Sequence, residues 1–147
     1  MILDILSIVC IGLMIGTEFA VSAFINPVLS QLDPEAEAQA TSLFARKLGF
    51  VMPFWYVLNF LLLMAEAVVH RHGTGTALLA TASTLWVIVI IFTLLILVPI
   101  HNRIIAMSSE GYSDKLRQQH ARWDMHHRWR VAALSAAMVT LLIGIGA

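Results

Sequence analysis

The chain has 147 residues, of which 59% are hydrophobic and 12% are charged, and its mean hydropathy is +0.83. Soluble domains are about 45–50% apolar and roughly 25% charged, so a water-soluble globular protein and a disordered chain are both excluded. The nine basic and nine acidic residues cancel, so the composition does not suggest a nucleic-acid-binding protein, which calls for a basic stripe. A membrane-spanning helix needs about 20 apolar residues, which leaves room for roughly four or five spans in one domain.

Four apolar stretches are each long enough to cross the membrane as a helix. None of them shows the alternation of polar and apolar residues that a membrane β-barrel needs. The first stretch is not expected to be a removable signal peptide, because Asp4 rather than basic residues precedes it. We therefore predict an all-α, integral membrane four-helix bundle, with spans at residues 5–26, 51–69, 77–100 and 126–147.

The segments between the spans predict additional helix. Asp33-Pro34-Glu35 is typical of a helix start, which predicts a short amphipathic surface helix within residues 32–48. Residues 70–76 predict a tight turn. The long connection between spans 3 and 4 is expected to break at residues 108–111, Ser108-Ser109-Glu110-Gly111, and to be helical from residue 114 into span 4.

Basic residues lie almost entirely at one end of the predicted bundle, the end that carries the 1–2 and 3–4 loops. We call this the basic end, and the opposite end has only Arg71. Cytoplasmic loops carry an excess of Lys and Arg, so the basic end is predicted to be cytoplasmic, with both termini outside a bacterial inner membrane. The basic residues at this end are Arg46, Lys47, Arg103, Lys115, Arg117, Arg122, Arg128 and Arg130.

Glu18 lies near the middle of span 1. An ionised side chain in hydrocarbon is costly, so Glu18 is predicted to face the bundle interior and to have a partner there. Ser22 and Asn26 follow at helical spacing and extend a polar stripe towards the basic end. On the other side of the span, Gly12 and Gly16 form a GxxxG pattern that permits close approach of a second helix, either within the bundle or in a homo-oligomer.

Further polar residues lie at the basic-end mouths of spans 3 and 4, at a depth compatible with one pocket shared with Glu18. A carboxylate with two or three histidines suits iron, copper or zinc, and two histidines on different helices can ligate haem. A metal-free pocket is the alternative, in which an arginine pairs with Glu18 or Asp124 and a histidine acts as a general base. The additional pocket residues are His101, Asn102, Asp124, His126, His127, Arg128 and Arg130.

Each of spans 1 to 3 has a proline where it reaches the basic end: Pro27, Pro53 and Pro99. Proline removes a backbone donor and leaves a carbonyl free one turn earlier. Irregular backbone in a membrane usually lines a cavity or is buried in protein, so these prolines also point to the basic end.

At the opposite end, Glu66 and His70 have i, i+4 spacing and are predicted to form a pair at the membrane surface rather than a second site. Trp86 is deeper in its span and is expected to pack in the core. The other aromatic residues near span ends are expected in the interfacial belts: Trp55, Tyr56, Trp123 and Trp129.

Four groups of residues occur in a fixed order along the chain: Gly16-Thr17-Glu18-Phe19 with Asn26-Pro27, Pro53-Phe54-Trp55, Val98-Pro99-Ile100-His101-Asn102-Arg103, and Trp123-Asp124-Met125-His126-His127-Arg128-Trp129-Arg130-Val131. Together they resemble the anthrone oxygenase-like family of small four-span membrane proteins, and the resemblance covers nearly the whole chain. It implies a four-helix membrane bundle, and the family's fungal members oxidise anthrones to anthraquinones with dioxygen. Where the family pattern has an asparagine, this chain has His101, and His126 adds a further imidazole, which enriches the pocket in metal ligands.

We therefore expect a membrane oxidoreductase, an oxygenase that acts on a lipophilic phenolic or quinone-like molecule entering from the lipid bilayer. Iron or copper is the expected cofactor, with haem or no cofactor as alternatives. The alternative function is a non-catalytic membrane subunit, a haem-binding protein or a small-molecule carrier. Catalytic roles are expected for Glu18, His101, Asp124, His127 and Arg128, cofactor contacts for Asn102, His126 and Arg130, and metal ligation for Glu18, His101 and His127.

Overall fold

The computed structural model describes residues 1–108, 111 and 113–147, and four long helices account for most of them. Helix α1 spans Ile2–Leu29, α2 spans Pro34–Val69, α3 spans Thr76–Ser108 and α4 spans Asp114–Gly146. Each of these helices is long and apolar enough to cross a membrane, which confirms the predicted all-α membrane bundle.

Each helix packs against the next one along the chain, and α4 also packs against α1, so the four helices form a closed bundle. Short connections make chain neighbours antiparallel. The apolar core is divided into a large cluster in the half opposite the basic end and a small cluster at the basic end. Trp86 is fully buried in the large cluster, as predicted. The large cluster also contains Ile11, Met14, Leu63, Leu79, Ala82, Val89, Leu134, Ala137 and Leu141, and the small one contains Ala38, Ile100, Ile104 and Leu116.

The segment predicted as a separate surface helix, within residues 32–48, is helical but is continuous with the second span. The Asp33 side chain caps the helix by accepting a hydrogen bond from the Ala36 amide at 3.1 Å, and Pro34 occupies the first helical position. Pro53, predicted to lie at the end of span 2, lies inside this helix, which continues past it to residue 69. Its 36 residues extend about 54 Å, so α2 projects well beyond a hydrocarbon layer of about 30 Å.

Helices α1 and α3 continue past the prolines at which the predicted spans end. In each, a π-helical turn lies just before the proline: Val21–Ile25 before Asn26-Pro27, and Thr93–Leu97 before Val98-Pro99. The amides of Asn26 and Val98 bond to carbonyls five residues back, which belong to Val21 and Thr93. The wider turn accommodates the proline ring and its missing donor, so each helix changes register instead of ending.

The connection between α3 and α4 is only partly covered by the structure. Of the predicted break at residues 108–111, Ser109 and Glu110 lie outside the described residues. Gly111 has a φ of +95°, a left-handed conformation that favours glycine, and Ser113 then caps α4 by accepting a hydrogen bond from the Leu116 amide. The expected helix from residue 114 runs directly into span 4.

The Gly12/Gly16 face does not form a close helix contact within the bundle. A Cβ atom at Gly12 would lie 3.9 Å from the Met138 side chain, and a Cβ atom at Gly16 would have no neighbour within 4 Å. The close approach occurs instead between Gly75, at the start of α3, and Gly144, near the end of α4. Association of two copies through Gly12 and Gly16 stays a prediction.

Substitution of Gly75 by alanine is expected to lower the free energy of unfolding by about 1–3 kcal/mol. The new Cβ would overlap the backbone carbonyl oxygen of Gly144, and a backbone atom cannot rotate away as a side chain can. Chemical unfolding in detergent would measure the change. Gly146→Ala is the matched control, since a Cβ there meets nothing within 4 Å, and an equal loss in both variants would contradict the explanation.

Candidate functional site

A cavity of about 710 Å³ lies in the basic-end half of the bundle. This volume falls within the range of about 300–1,000 Å³ that is typical of small-molecule sites. All four helices contribute to its wall, and most of the lining side chains are apolar. The polar and charged residues in the wall are Glu18, Asn26, Thr41, Arg46, Tyr56, Thr93, His101, Asn102, His120, His127 and Arg130.

Glu18 and Arg130 form a buried ion pair in the cavity wall. Arg130 Nη2 lies 2.6 Å from Glu18 Oε2, and the Tyr56 hydroxyl donates a hydrogen bond to Glu18 Oε1 at 3.0 Å. Glu18 is 2% exposed and Arg130 is 7% exposed. The guanidinium also lies over the Tyr56 ring, 5.6 Å from its centroid. Each charge therefore has a partner of opposite sign, which a charge buried at membrane depth requires.

His127 joins the ion pair to the backbone of α1. Its Nε2 lies 3.0 Å from the backbone carbonyl oxygen of Glu18, while Arg130 Nη2 lies 2.9 Å from Nδ1. A carbonyl can only accept and a guanidinium can only donate, so these partners assign a neutral imidazole with its proton on Nε2. Trp123 stacks on the imidazole at a centroid distance of 4.6 Å and holds the ring plane.

The Glu18 carbonyl oxygen has two partners, the Val21 amide of its own helix and His127 Nε2. Glu18 lies in the last turn before Val21–Ile25, where the regular ladder of α-helical hydrogen bonds changes. Such turns are frequent at functional sites because they alter the local backbone bonding. The carboxylate and the backbone carbonyl of Glu18 thus both lie against His127, in the turn next to this change of hydrogen bonding.

Three buried polar atoms of the cavity wall lack a hydrogen-bond partner among the described residues: Thr41 Oγ1, Thr93 Oγ1 and Arg130 Nε. Threonines elsewhere in the bundle, such as Thr81 and Thr84, donate to the carbonyl four residues back. Thr41 and Thr93 form no such bond. An unpaired buried polar atom costs about 1–3 kcal/mol, so a hydrogen bond to any of these three atoms would stabilise a molecule bound in the cavity.

Asp124 and Arg128 form a second pair that is separate from the cavity wall. Asp124 accepts hydrogen bonds from Arg128 Nε at 2.9 Å and from Asn26 Nδ2 at 2.6 Å. Arg128 is exposed. His126 packs against Phe92, with ring centroids 6.1 Å apart, and it does not line the cavity either. Arg130, rather than Arg128, is thus the arginine that contacts Glu18.

His101 and Asn102 line the cavity at its basic-end mouth, as the sequence places them. His101 packs against Gly49, where an added Cβ would lie only 2.6 Å from its Nε2. Among the described residues, Glu18, His101 and His127 do not form a group of three ligand atoms within 4.8 Å of one another. Arg130 occupies the Glu18 oxygen nearest to His127, so a metal would have to displace the guanidinium.

Sequence reasoning missed the roles of Tyr56 and Trp123, which it assigned to the interfacial belts. Tyr56 is buried, and a usable signal was present: with Asn59 and Glu66 it forms a polar series at helical spacing within an apolar span. Trp123 lies one turn before His127, which is the spacing for contact on one helix face. Nothing in the sequence distinguishes Thr41 and Thr93 from the other threonines.

Residues 41–140, or 100 of the 147 residues, match the family model described as anthrone oxygenase. The matched region includes Tyr56, His101, His127 and Arg130 and begins after Glu18. Comparison with curated proteins and with solved structures finds no match.

Proposed function

The chain belongs to the anthrone oxygenase family, and we propose that it is a membrane oxygenase that oxidises a lipophilic phenolic molecule of the anthrone type with dioxygen. The observation that carries this proposal is the buried carboxylate, imidazole and guanidinium cluster in the wall of a large apolar cavity. The apolar wall suits fused aromatic rings. The cluster supplies a proton acceptor and a fixed positive charge for an oxygen substituent.

The unpaired atoms of the wall suit an aromatic substrate that carries hydroxyl or keto oxygens. Arg130 Nε is a donor and fits a keto or phenolate oxygen, while Thr41 and Thr93 can donate or accept. A positive charge held near the keto oxygen favours the enolate over the neutral ketone. These contacts would both orient the substrate and make its ring CH₂ group more acidic.

The reaction needs no co-reactant besides dioxygen. Glu18 takes one proton from the CH₂ group, and the resulting carbanion transfers electrons to dioxygen and forms a carbon–oxygen bond. Protonation gives a hydroperoxide at that carbon. Loss of water, with the second hydrogen of the CH₂ group, then leaves a ketone. The CH₂ carbon is oxidised by four electrons, dioxygen is reduced by four, and one oxygen atom enters the product while the other leaves as water.

The part of the cavity wall that α2 and α3 form supports entry of the substrate from the bilayer. Several residues of this wall line the cavity and are also exposed on the outer surface: Val57 on α2 is 57% exposed, and Leu94 on α3 is 60% exposed. Both lie in membrane-spanning helices. A lipophilic substrate would therefore reach Glu18 laterally, without crossing water.

The direct test is oxygen uptake by the purified protein with an anthrone as substrate. We expect one dioxygen consumed per quinone formed and one labelled oxygen atom in the product from ¹⁸O₂. Tight binding of the anthrone without oxygen uptake would overturn the oxygenase proposal in favour of a carrier. Metal analysis of the same sample checks the prediction of iron or copper at Glu18, His101 and His127.

Filling the cavity at Ala45 is expected to raise KM by about tenfold or more, a loss of about 1.4 kcal/mol in substrate binding. Ala45→Phe adds a ring to the α2 wall without touching the polar cluster. The control is Ala121→Phe, the same change at an exposed position of α4 outside the cavity wall. Equal KM values for Ala45→Phe and the wild type would place the substrate elsewhere.

The basic end is proposed to face the cytoplasm of a bacterial inner membrane, with the two termini outside. The support is the distribution of Lys and Arg, since Arg71 is the only such residue at the opposite end. Single cysteines in a Cys10→Ala background, at position 72 or 115, would be labelled from opposite sides. Labelling of position 115 from outside intact cells would reverse this orientation.

A further inference from the structure

A second polar cluster lies at the end of the bundle opposite the cavity. Asp4 comes from the start of α1, and Glu66 and His70 come from the end of α2. Each offers one ligand atom, and these three atoms all lie within 4.8 Å of one another. The sequence predicts a pair of Glu66 with His70 at the membrane surface, and the two side chains do lie within ion-pair distance. Glu66 is fully buried, however, and Asp4 joins the pair.

Glu66 is the unusual member, because it is a carboxylate with no exposed surface. Ser7 donates a hydrogen bond to Glu66 Oε1 at 2.7 Å, and Ser7 is itself fully buried. Glu66 Oε2 has no hydrogen-bond partner among the described residues. The carboxylate is therefore hydrogen-bonded through one oxygen only, and the other oxygen faces His70 Nδ1, a contact that is an ion pair only when the imidazole is protonated.

The spacing of these groups matches a metal better than a hydrogen bond. His70 Nδ1 lies 3.3 Å from Glu66 Oε2. In tetrahedral zinc sites the metal lies about 2.0–2.2 Å from nitrogen and oxygen ligands, which puts neighbouring ligand atoms roughly 3.3–3.6 Å apart. One imidazole and two carboxylates leave one position open for water. Imidazole favours zinc over calcium or magnesium, which take oxygen ligands alone.

We propose that Asp4, Glu66 and His70 form a zinc site that joins α1 to α2 at this end of the bundle. The ion would bind the unpaired Glu66 oxygen and His70 Nδ1, with Asp4 as the third ligand. His70 Nδ1 also lies 3.2 Å from the Glu66 backbone carbonyl, to which it can bond only as an N–H donor, so zinc binding would replace this hydrogen bond and leave the imidazole proton on Nε2.

The other charged groups nearby leave the site accessible. The Met1 amine lies 3.0 Å from Asp4 Oδ2, and zinc would displace it from that oxygen. Arg71 donates to His72 at 3.1 Å, so these two exposed side chains contact each other rather than Glu66. The side chains of Asp4 and His70 are 23% and 29% exposed, which gives an aqueous ion a route to the buried carboxylate.

The site is tested by zinc titration of the chelator-treated, untagged protein in detergent, read by calorimetry and by the midpoint of thermal unfolding. We expect one zinc ion per chain and a midpoint that rises with zinc concentration, because an ion that binds the folded state stabilises it. Glu66→Gln and His70→Ala are each expected to weaken binding by about tenfold or more. His70→Ala alters only a half-buried side chain, so it keeps the test valid if Glu66→Gln folds poorly.

Two controls separate this site from its surroundings and from the cavity. His72→Ala removes a neighbouring exposed histidine and should leave zinc affinity unchanged. Glu18→Gln should also bind zinc normally, because Glu18 lies in the cavity wall and not in this cluster. Absence of zinc binding, or equal affinity in the wild type and both ligand variants, would overturn the proposal without bearing on the oxygenase proposal.

Discussion

Replacing Glu18 by glutamine is expected to lower kcat by about 10²–10⁴-fold, the usual contribution of a positioned general base. The amide has nearly the same shape as the carboxylate and can still accept a hydrogen bond from Tyr56 or Arg130. It cannot take a proton from the substrate. The loss should therefore appear in kcat, measured by oxygen uptake, with substrate affinity changed much less.

The matched control for Glu18→Gln is Glu37→Gln. Glu37 is also a buried glutamate near the basic end, with Arg117 3.8 Å away, but it does not line the cavity. Its replacement should leave kcat within about twofold, since no catalytic contribution is removed. Full activity of Glu18→Gln, in protein that binds the substrate normally, would assign the proton transfer to another group.

Replacing Arg130 by methionine is expected to lower the free energy of unfolding by about 3–5 kcal/mol. The methionine side chain retains much of the arginine's apolar stem but leaves the Glu18 carboxylate without a counter-charge in a water-poor interior. It also removes the donor to His127 Nδ1. Equilibrium unfolding in mixed detergent micelles would measure this loss.

A double-mutant cycle identifies the cause of that loss. Adding Glu18→Gln to Arg130→Met removes the unpaired charge, so the double variant should be more stable than Arg130→Met alone. Arg128→Met is the control, because Arg128 is exposed in its pair with Asp124 and exposed pairs contribute about 0–1 kcal/mol. A similar loss for Arg128→Met and Arg130→Met would contradict the buried-charge explanation.

The fold was largely predictable, because four apolar stretches long enough to cross the membrane leave few folds other than a four-helix bundle. The limits of the prediction lie at the helix ends. Asp33-Pro34 correctly marked a helix start, but sequence gave no sign that this helix would run without interruption into the second span. Pro27 and Pro99 predicted helix ends, whereas a π-helical turn before each proline preserves the helix.

The candidate site was partly predictable for a different reason. Glu18 stood out because a charge within an apolar span must find a partner, and that argument led to an arginine of span 4 as one possibility. Whether Arg128 or Arg130 contacts Glu18 depends on how α4 is rotated about its axis. The stacking of Trp123 on His127 and the packing of the core together set that rotation. Tyr56 was assigned to the interfacial belt because aromatic residues near span ends are often interfacial. The polar residues on the same helix face, Asn59 and Glu66, indicate a buried position instead.

The two π-helical turns have a consequence for comparing this chain with its relatives. Each turn contains one residue more than an α-helical turn, so the side chains before and after it are offset by about 100° relative to a continuous α-helix. A relative that lacks one residue between positions 21 and 25 would have a regular α-helix in which Asn26 still lies above the Val21 carbonyl, whereas a relative of equal length without the π-helical turn would have Asn26 rotated away from Asp124. Alignments of these helices should therefore be scored separately on either side of the turn, because a one-residue gap within the turn preserves which residues face the cavity.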